Sequence, residues 1–453
     1  MQSPYSAERL NGACVVIDRL DAEGAALALF LRRRGAVVVL ADPAPVAAAP
    51  AGCSVVADRV AAVALADVVL VDCWTGEVEP HVIAARARGV PVRGLADIVL
   101  HEANTPVVGV TGTAGKTTTA RLIAHLLRAT GHDVLVAASG RAENAWPNVE
   151  VLTTLAAGAR PDLIVLELTS THLAYTAASP GHAVVTSLWP DHVELHGSEA
   201  AYFAAKQQLL AGQQAGSTAV LPVGETRLVV QPGVQVSRFS AEDPSLRSSG
   251  LPTHVQANVA AAVALLQGSL GVVDDLTPGL ASFEPPVWRG EEIGTVAGRP
   301  VFHNGMAATP AKAAAFVAGL PDRSAVLIVG GLDELGVGVV HASPGESLLL
   351  EELCRQLARA GQQIMLVGPA ALRVAPLLAR NGRTDARVGP DLDWAVNEAL
   401  RWLNGVETVA WVPGFPVALA DRARFGELMA TAAGTAGLLW ASAGAAARAK
   451  STS

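Results

Sequence analysis

The residues best placed to do chemistry come first as a run, Gly112-Thr113-Ala114-Gly115-Lys116-Thr117-Thr118. Small residues let the backbone turn its N–H groups toward an anion. A lysine at the end of such a loop bridges phosphates, and a hydroxyl holds Mg²⁺. Pro106 followed by Val107, Val108 and Val110 predicts a buried strand before the loop. Leu122, Ile123, Leu126 and Leu127 predict the apolar face of a helix after it. Strict Walker spacing would put glycine at 110, where the chain has Val110, so residues 105–125 read as a variant phosphate loop. The stretch predicts nucleotide binding.

Further candidates lie downstream. Glu167 stands near the end of the apolar run LIVLEL, 163–168, where a carboxylate reaches the carboxyl edge of a sheet and can hold Mg²⁺ or its water. Trp189-Pro190-Asp191-His192-Val193-Glu194-Leu195-His196-Gly197 precedes Ser198, a good N-cap for a helix that carries Lys206 two turns in. Read alone, Lys206 is a surface lysine and His192 a loop histidine. His254 and Asn258 are four apart on an Ala-rich helix over 255–266 and so share a face. Asp42 follows a predicted strand at its carboxyl end, where it fits ligand contact or simple turn polarity equally.

The elements that must position these groups are those of an α/β protein. The 453 residues suffice for about three domains. Half are hydrophobic and 16% charged, so large cores are available. Predicted strands at 13–17, 36–40, 66–71 and 90–93 alternate with helices at 23–34 and 80–88. A middle segment follows the phosphate loop with strands at 133–138, 163–168 and 183–188. A third unit from 287 onward has strands at 300–303, 326–329, 364–367 and 408–412. Its helices are expected at 310–318, 345–360, 392–403 and 420–433, and the tail 441–453 is expected to fray. The net charge of −8 supplies no field for nucleic acid. Cys14, Cys53, Cys73 and Cys354 have no metal-ligand or redox spacing and fit a reducing compartment. No apolar run reaches transmembrane length and the first residues lack a signal core, so a cytoplasmic protein without membrane partners is expected.

GTAGKTTT, LELTSTHL, PDHVELHGSEAAYFAAK, HVQANVAAAVAL and WRGE at 288–291, in this order, resemble the Mur ligases, with spacing most similar to their D-glutamate-adding branch. The resemblance implies three domains: a Rossmann-like UDP-substrate-binding domain over 1–104, a central ATP-binding P-loop domain with a mostly parallel sheet over 105–286, and a Rossmann-like C-terminal domain over 287–453. It implies ATP and Mg²⁺ as cofactors and a monomer acting on small molecules, a nucleotide-sugar peptide precursor and an amino acid. Lys116 would hold the β- and γ-phosphates. Thr117 and Glu167 would hold one Mg²⁺, and His192 with Lys206, as a carbamate, would serve a second. Asn258 and Arg289 would contact the nucleotide. The implied reaction adds glutamate to UDP-N-acetylmuramoyl-L-alanine through an acyl phosphate.

Departures from the family pattern fall in the flanking segments. The turn after the first strand is acidic, Asp18-Arg19-Leu20-Asp21-Ala22-Glu23-Gly24, and the turn after the strand over 66–71 reads Asp72-Cys73-Trp74-Thr75-Gly76. The family's Asn-Asp-Ser-Lys-Ala-Thr-Asn is replaced by Asn304-Gly305-Met306-Ala307-Ala308-Thr309-Pro310. Glu334 follows Gly330-Gly331 where a base is usual, and a serine-bearing loop reads Val412 to Ala418 without serine. These changes keep open a related ligase for another acid and amine, and a nucleotide-binding accessory protein that has lost ligation.

Overall fold

Runs of Val, Leu and Ile form the strands, because parallel sheets are covered on both faces and favour continuous apolar sequence. The computed structural model describes residues 4–138, 147–240, 255–272, 275–307, 309–318, 320, 325–330, 344–359, 363–368, 370–404, 406–414 and 419–442. The chain divides into two units, 1–251 with 255–283, and 252–254 with 284–453.

The first unit holds two sheets. One contains β1 (Cys14–Ile17), β2 (Val37–Ala41), β3 (Ser54–Val56), β4 (Val68–Val71) and β5 (Val92–Gly94) in the order β3-β2-β1-β4-β5. All its pairings are parallel, with Val15 opposite both Val38 and Val68. The carboxyl ends of β1 and β4 therefore flank the point where strand order reverses, the usual ligand crevice of such sheets. The other sheet contains β6 (Val107–Thr111), β7 (Val134–Ala137), β8 (Leu163–Glu167), β9 (His182–Val185), β10 (Thr218–Pro222) and β11 (Gln235–Phe239). Its order is β11-β10-β9-β6-β8-β7, again parallel throughout, which places β6 between β9 and β8.

One apolar core spans both sheets, uniting Ile17, Leu40 and Leu70 with Ile164, Leu166, Ala183 and Leu221. Buried Asp97 adds a polar tie, accepting from Tyr5 Oη at 2.5 Å and from the Ala177 amide at 2.7 Å. On the other face of the second sheet, Val108 and Val110 pack with Leu122, Ile123, Val165, Val184 and Val259. The phosphate-loop strand is thus covered on both faces, and its helix packs on one of them.

The second unit contains β12 (Glu291–Val296), β13 (Arg299–His303), β14 (Ala325–Gly330), β15 (Gln363–Val367), β16 (Arg387–Gly389), β17 (Thr408–Trp411) and β18 (Trp440–Ser442), in the order β16-β15-β14-β17-β13-β12-β18. Strands β16 to β13 are parallel, whereas β12 and β18 add antiparallel to one edge. That edge departs from expectation. Trp440–Ser442, placed in or beside a fraying tail, pairs with 294–296. Strand β12 escaped notice because only Gly294 and Val296 of it are buried, so it lacks the continuous apolar run of the parallel strands.

Candidate active site

Strand β6 delivers its last residue, Thr111, to the start of the loop, and the helix Lys116–Ala129 begins immediately beyond it. Two glycines make the turn possible. Gly112 has φ +149°, and a Cβ there would lie 2.0 Å from Thr186 Oγ1. Gly115 has φ +85°, and its Cβ would lie 2.3 Å from Asn258 Oδ1. The back of the loop is pinned: the Thr113 amide donates to Ser187 O at 3.0 Å and the Ala114 amide to Ser187 Oγ at 2.9 Å. Lys116 Nζ folds back on the loop, donating to Gly112 O at 3.0 Å and Thr113 O at 3.2 Å. A helix N-terminus beside a lysine is the arrangement that polyphosphates require.

Glu167 ends β8 directly opposite Val110 of β6, so strand register carries its carboxylate to the loop. Thr117 Oγ1 donates to Glu167 Oε1 at 2.9 Å with both residues buried. A hydroxyl and a carboxylate in contact at a phosphate loop are the hard oxygen donors that Mg²⁺ prefers, so the pair fits the ion. Among the described residues, no three His, Cys, Asp or Glu side chains gather into a metal cluster, so phosphate and water oxygens would complete any coordination.

Lys206 overturns its reading as a surface residue. It is 1% exposed, and its Nζ donates to Thr111 Oγ1 at 2.9 Å and Gly112 O at 3.0 Å. The Tyr202 ring lies 5.5 Å away. The reason is helical phase: Tyr202, Ala205, Leu209 and Leu210 form the buried stripe of Glu199–Ala211, and Lys206 falls within it. Ser198 caps that helix as expected, accepting from the Ala201 amide at 3.1 Å.

His192 adopts a left-handed conformation, φ 51°, and its ring pairs with Glu194 at 3.2 Å and Asp191 at 3.6 Å. Those recorded contacts do not include the Thr117–Glu167 pair. His172, overlooked in the sequence, feels the charges of Glu167, Lys206 and Lys116. It caps its helix reciprocally with Thr169, a Thr-x-x-His signal that LELTSTHL contains. Burial presses its pKa down to about 4, against the upward pull of Glu167 and Asp72, and Lys206 and Lys116 press it further down. The imidazole is therefore neutral beside the loop.

Asn258, on Gln256–Gly268, accepts from Thr119 Oγ1 at 3.2 Å, beside the Gly115 end of the loop. His254 lies outside the described residues. Arg289 belongs to the second unit, where it donates to Val287 O at 3.4 Å. Asp42 is engaged by the amides of Leu20 at 2.8 Å and Ala44 at 2.9 Å, with Arg59 at 3.7 Å.

The acidic crevice of the first sheet is tied to itself. Asp18 accepts from the Asp72 amide at 3.0 Å and Thr75 Oγ1 at 2.7 Å, and meets His81 Nε2 at 3.2 Å. Arg19 pairs with Asp72 and, at 3.1 Å, with Asp21. Burial, reinforced by Asp72 and Asp21, pushes the Glu23 carboxyl up to about 8. In the second unit Ala307, which the resemblance set against a lysine, is 2% exposed in an apolar core. Glu334 and residues 415–418 lie outside the described residues.

Residues 110–266 match the family description "Mur ligase middle domain". The chain is 30% identical over 337 residues to the UDP-N-acetylmuramoylalanine–D-glutamate ligase of Symbiobacterium thermophilum, covering 67% of this chain and 69% of that protein. It is 29% identical over 371 residues to the UDP-N-acetylmuramoyl-L-alanine–L-glutamate ligase of a Micromonospora species, 75% of each chain. The fold matches that of the MurF ligase from Thermotoga maritima, solved in complex with ADP, with a TM-score of 0.57 at 15% identity over 95% of this chain and 97% of that one. The phosphate loop, its Thr117–Glu167 pair and the buried Lys206 thus sit in a chain that belongs to the Mur ligase family.

Proposed function

We propose that the protein is an ATP-dependent ligase that joins a carboxylic acid to an amino acid through an acyl phosphate. The observation that carries this reading is the Thr117–Glu167 contact at 2.9 Å beneath the Gly112–Gly115 turn. ATP supplies the γ-phosphoryl group that activates the acid, and Mg²⁺ offsets the charge on it. Lys116 and the helix N-terminus stabilise the charge that builds as the acid oxygen bonds to phosphorus and ADP departs. The incoming amine then bonds to the acyl carbon, phosphate leaves with the C–O bond electrons, and the amine proton passes to solvent. Thr117 and Glu167 would hold the metal, and Gly112 to Thr118 would hold the phosphates. Asn258 and Arg289 are assigned to the nucleotide and His192 to a second metal.

Lys206 is assigned a carbamate: its amine adds CO₂, forming an N–C bond and losing a proton, and so becomes an anionic oxygen donor. Asp42 is assigned to shaping its turn. In this reading 1–104 holds the acid, 105–286 the nucleotide and 287–453 the amine. Among the described residues, no helix is long and apolar enough to cross a membrane.

The relatives' names supply the first substrates to test, UDP-N-acetylmuramoyl-L-alanine with D- or L-glutamate. A second reading, a ligase for another acid–amine pair, is favoured by the buried Ala307 and by Asp18, Asp21 and Asp72 gathered in the crevice. Like charges about 4 Å apart repel by ~1 kcal/mol in water and several-fold more in a less polar cleft, so a diphosphate is expected to bind weakly beside Asp18, Asp21 and Asp72, and a dicarboxylate weakly where Ala307 supplies no cation. A phosphate-release screen over acids and amines decides between the readings. Low-micromolar Michaelis constants for the UDP-acid with sub-millimolar use of glutamate select the first. Release only with another pair selects the second, and release with none refutes ligation.

A further inference from the structure

We propose that His196 is a positioning residue that joins the 76–79 loop of the first sheet to the phosphate loop of the second, so that nucleotide binding orders both. The inference rests on the nucleotide-binding reading and goes beyond it. His196 ends the short helix Val193–His196, and its side chain is fully buried. Its Nδ1 lies 2.8 Å from Glu77 Oε1. An ionised carboxylate only accepts, so Nδ1 carries the proton. The other nitrogen, Nε2, is buried with no hydrogen-bond partner.

Around this pair the backbones are locked together. The Glu77 amide donates to Leu195 O at 2.7 Å, and a Cβ on Gly76 would lie 3.0 Å from the same oxygen. Glu77 is also held by Arg86 at 2.7 Å. Burial alone would raise its pKa, but the bonds from His196 and Arg86 outweigh that and keep it below the usual carboxylate range.

The far side of the imidazole leads to the phosphates. Its ring meets Tyr202 edge-to-face, centroids 5.6 Å apart. Tyr202 Oη lies 2.8 Å from Thr113 Oγ1. Thr113 gives its own proton to Trp189 O at 2.9 Å, so Tyr202 is the donor. One contact chain therefore runs from Glu77, at the ligand crevice of the first sheet, through His196 and Tyr202 to a residue of the phosphate loop. A buried polar ring with one hydrogen-bonded and one unsatisfied nitrogen adds little stability over an apolar side chain of similar size. What it adds is a fixed orientation between two ligand edges.

Hydrogen exchange of the full chain, with and without the non-hydrolysable probe Mg·AMP-PNP, tests this. In the wild type the probe should slow exchange in peptides covering 111–117 and, by about fivefold or more, in those covering 74–80. His196→Phe keeps a ring against Tyr202 and loses Glu77, so protection should survive at 111–117 and vanish at 74–80. Glu77→Ala, from the less buried partner, should do the same, while Glu77→Gln, which still accepts from Nδ1, should restore it. Equal protection at 74–80 in all variants would overturn the proposal, as would none in a wild type that binds the probe. A wild type that fails to bind AMP-PNP by calorimetry would instead refute the nucleotide reading, and the coupling with it.

Discussion

Replacing Glu167 by glutamine isolates charge from shape. The amide oxygen can still accept from Thr117 Oγ1, now 2.9 Å away, so the buried hydroxyl keeps its partner and the loop its geometry. Only the negative charge facing the metal is lost. Two unit charges about 4 Å apart interact by ~4 kcal/mol at the effective dielectric of a partly wet site. Deleting one preorganised electrostatic contact to a reacting group typically costs roughly 3–4 kcal/mol, or 10²–10³ in rate. The two routes agree, and we expect Glu167→Gln to lose about 10²–10³ in turnover and to need more Mg²⁺ for half-maximal rate. Loss of the charge also removes an upward pull on His172, which sits at about 4 and moves lower still. That histidine is neutral at assay pH in both proteins and cannot confound the comparison. Phosphate release titrated with Mg²⁺ is the assay. Turnover within threefold of wild type at equal Mg²⁺ would remove Glu167 from the metal site.

Two further outcomes are expected. Lys206→Ala should abolish turnover and regain part of it when acetate is supplied; full activity of this variant in bicarbonate-free buffer would eliminate an essential carbamate. Glu23 holds its proton in the folded state up to about 8 but loses it near 4.5 when unfolded. Across that window the folded state binds more protons, so its contribution to stability falls as pH rises. Glu23→Gln should therefore flatten the decline of Tm between pH 5 and 8 and raise Tm at pH 8; an unchanged Tm profile would show that the carboxyl is not held protonated.

Local sequence determined the parts whose physics is local. The phosphate loop is contiguous, and its glycines, lysine and flanking apolar runs announce a strand, a turn and a helix without reference to the rest of the chain. Glu167 was legible for a similar reason, as the one carboxylate in an apolar strand beside that loop. Ser198 announced its helix because a cap bonds three residues ahead. Read without the resemblance, Lys206 went to the surface because residue type was weighed above phase, although its spacing from Tyr202, Leu209 and Leu210 already put it on the inner face. Tertiary structure alone decided the rest. The Asp18–His81 and Glu77–His196 contacts join residues 63 and 119 positions apart, and no periodicity encodes such pairings. The antiparallel edge of the second unit depends on which strand finds β12, a choice made by the sheet and not by Trp440–Ser442. Sequence fixed the identity of the chemical groups through short-range bonding rules. Packing fixed which of them meet, because burial and charge compensation depend on neighbours that the chain order does not name.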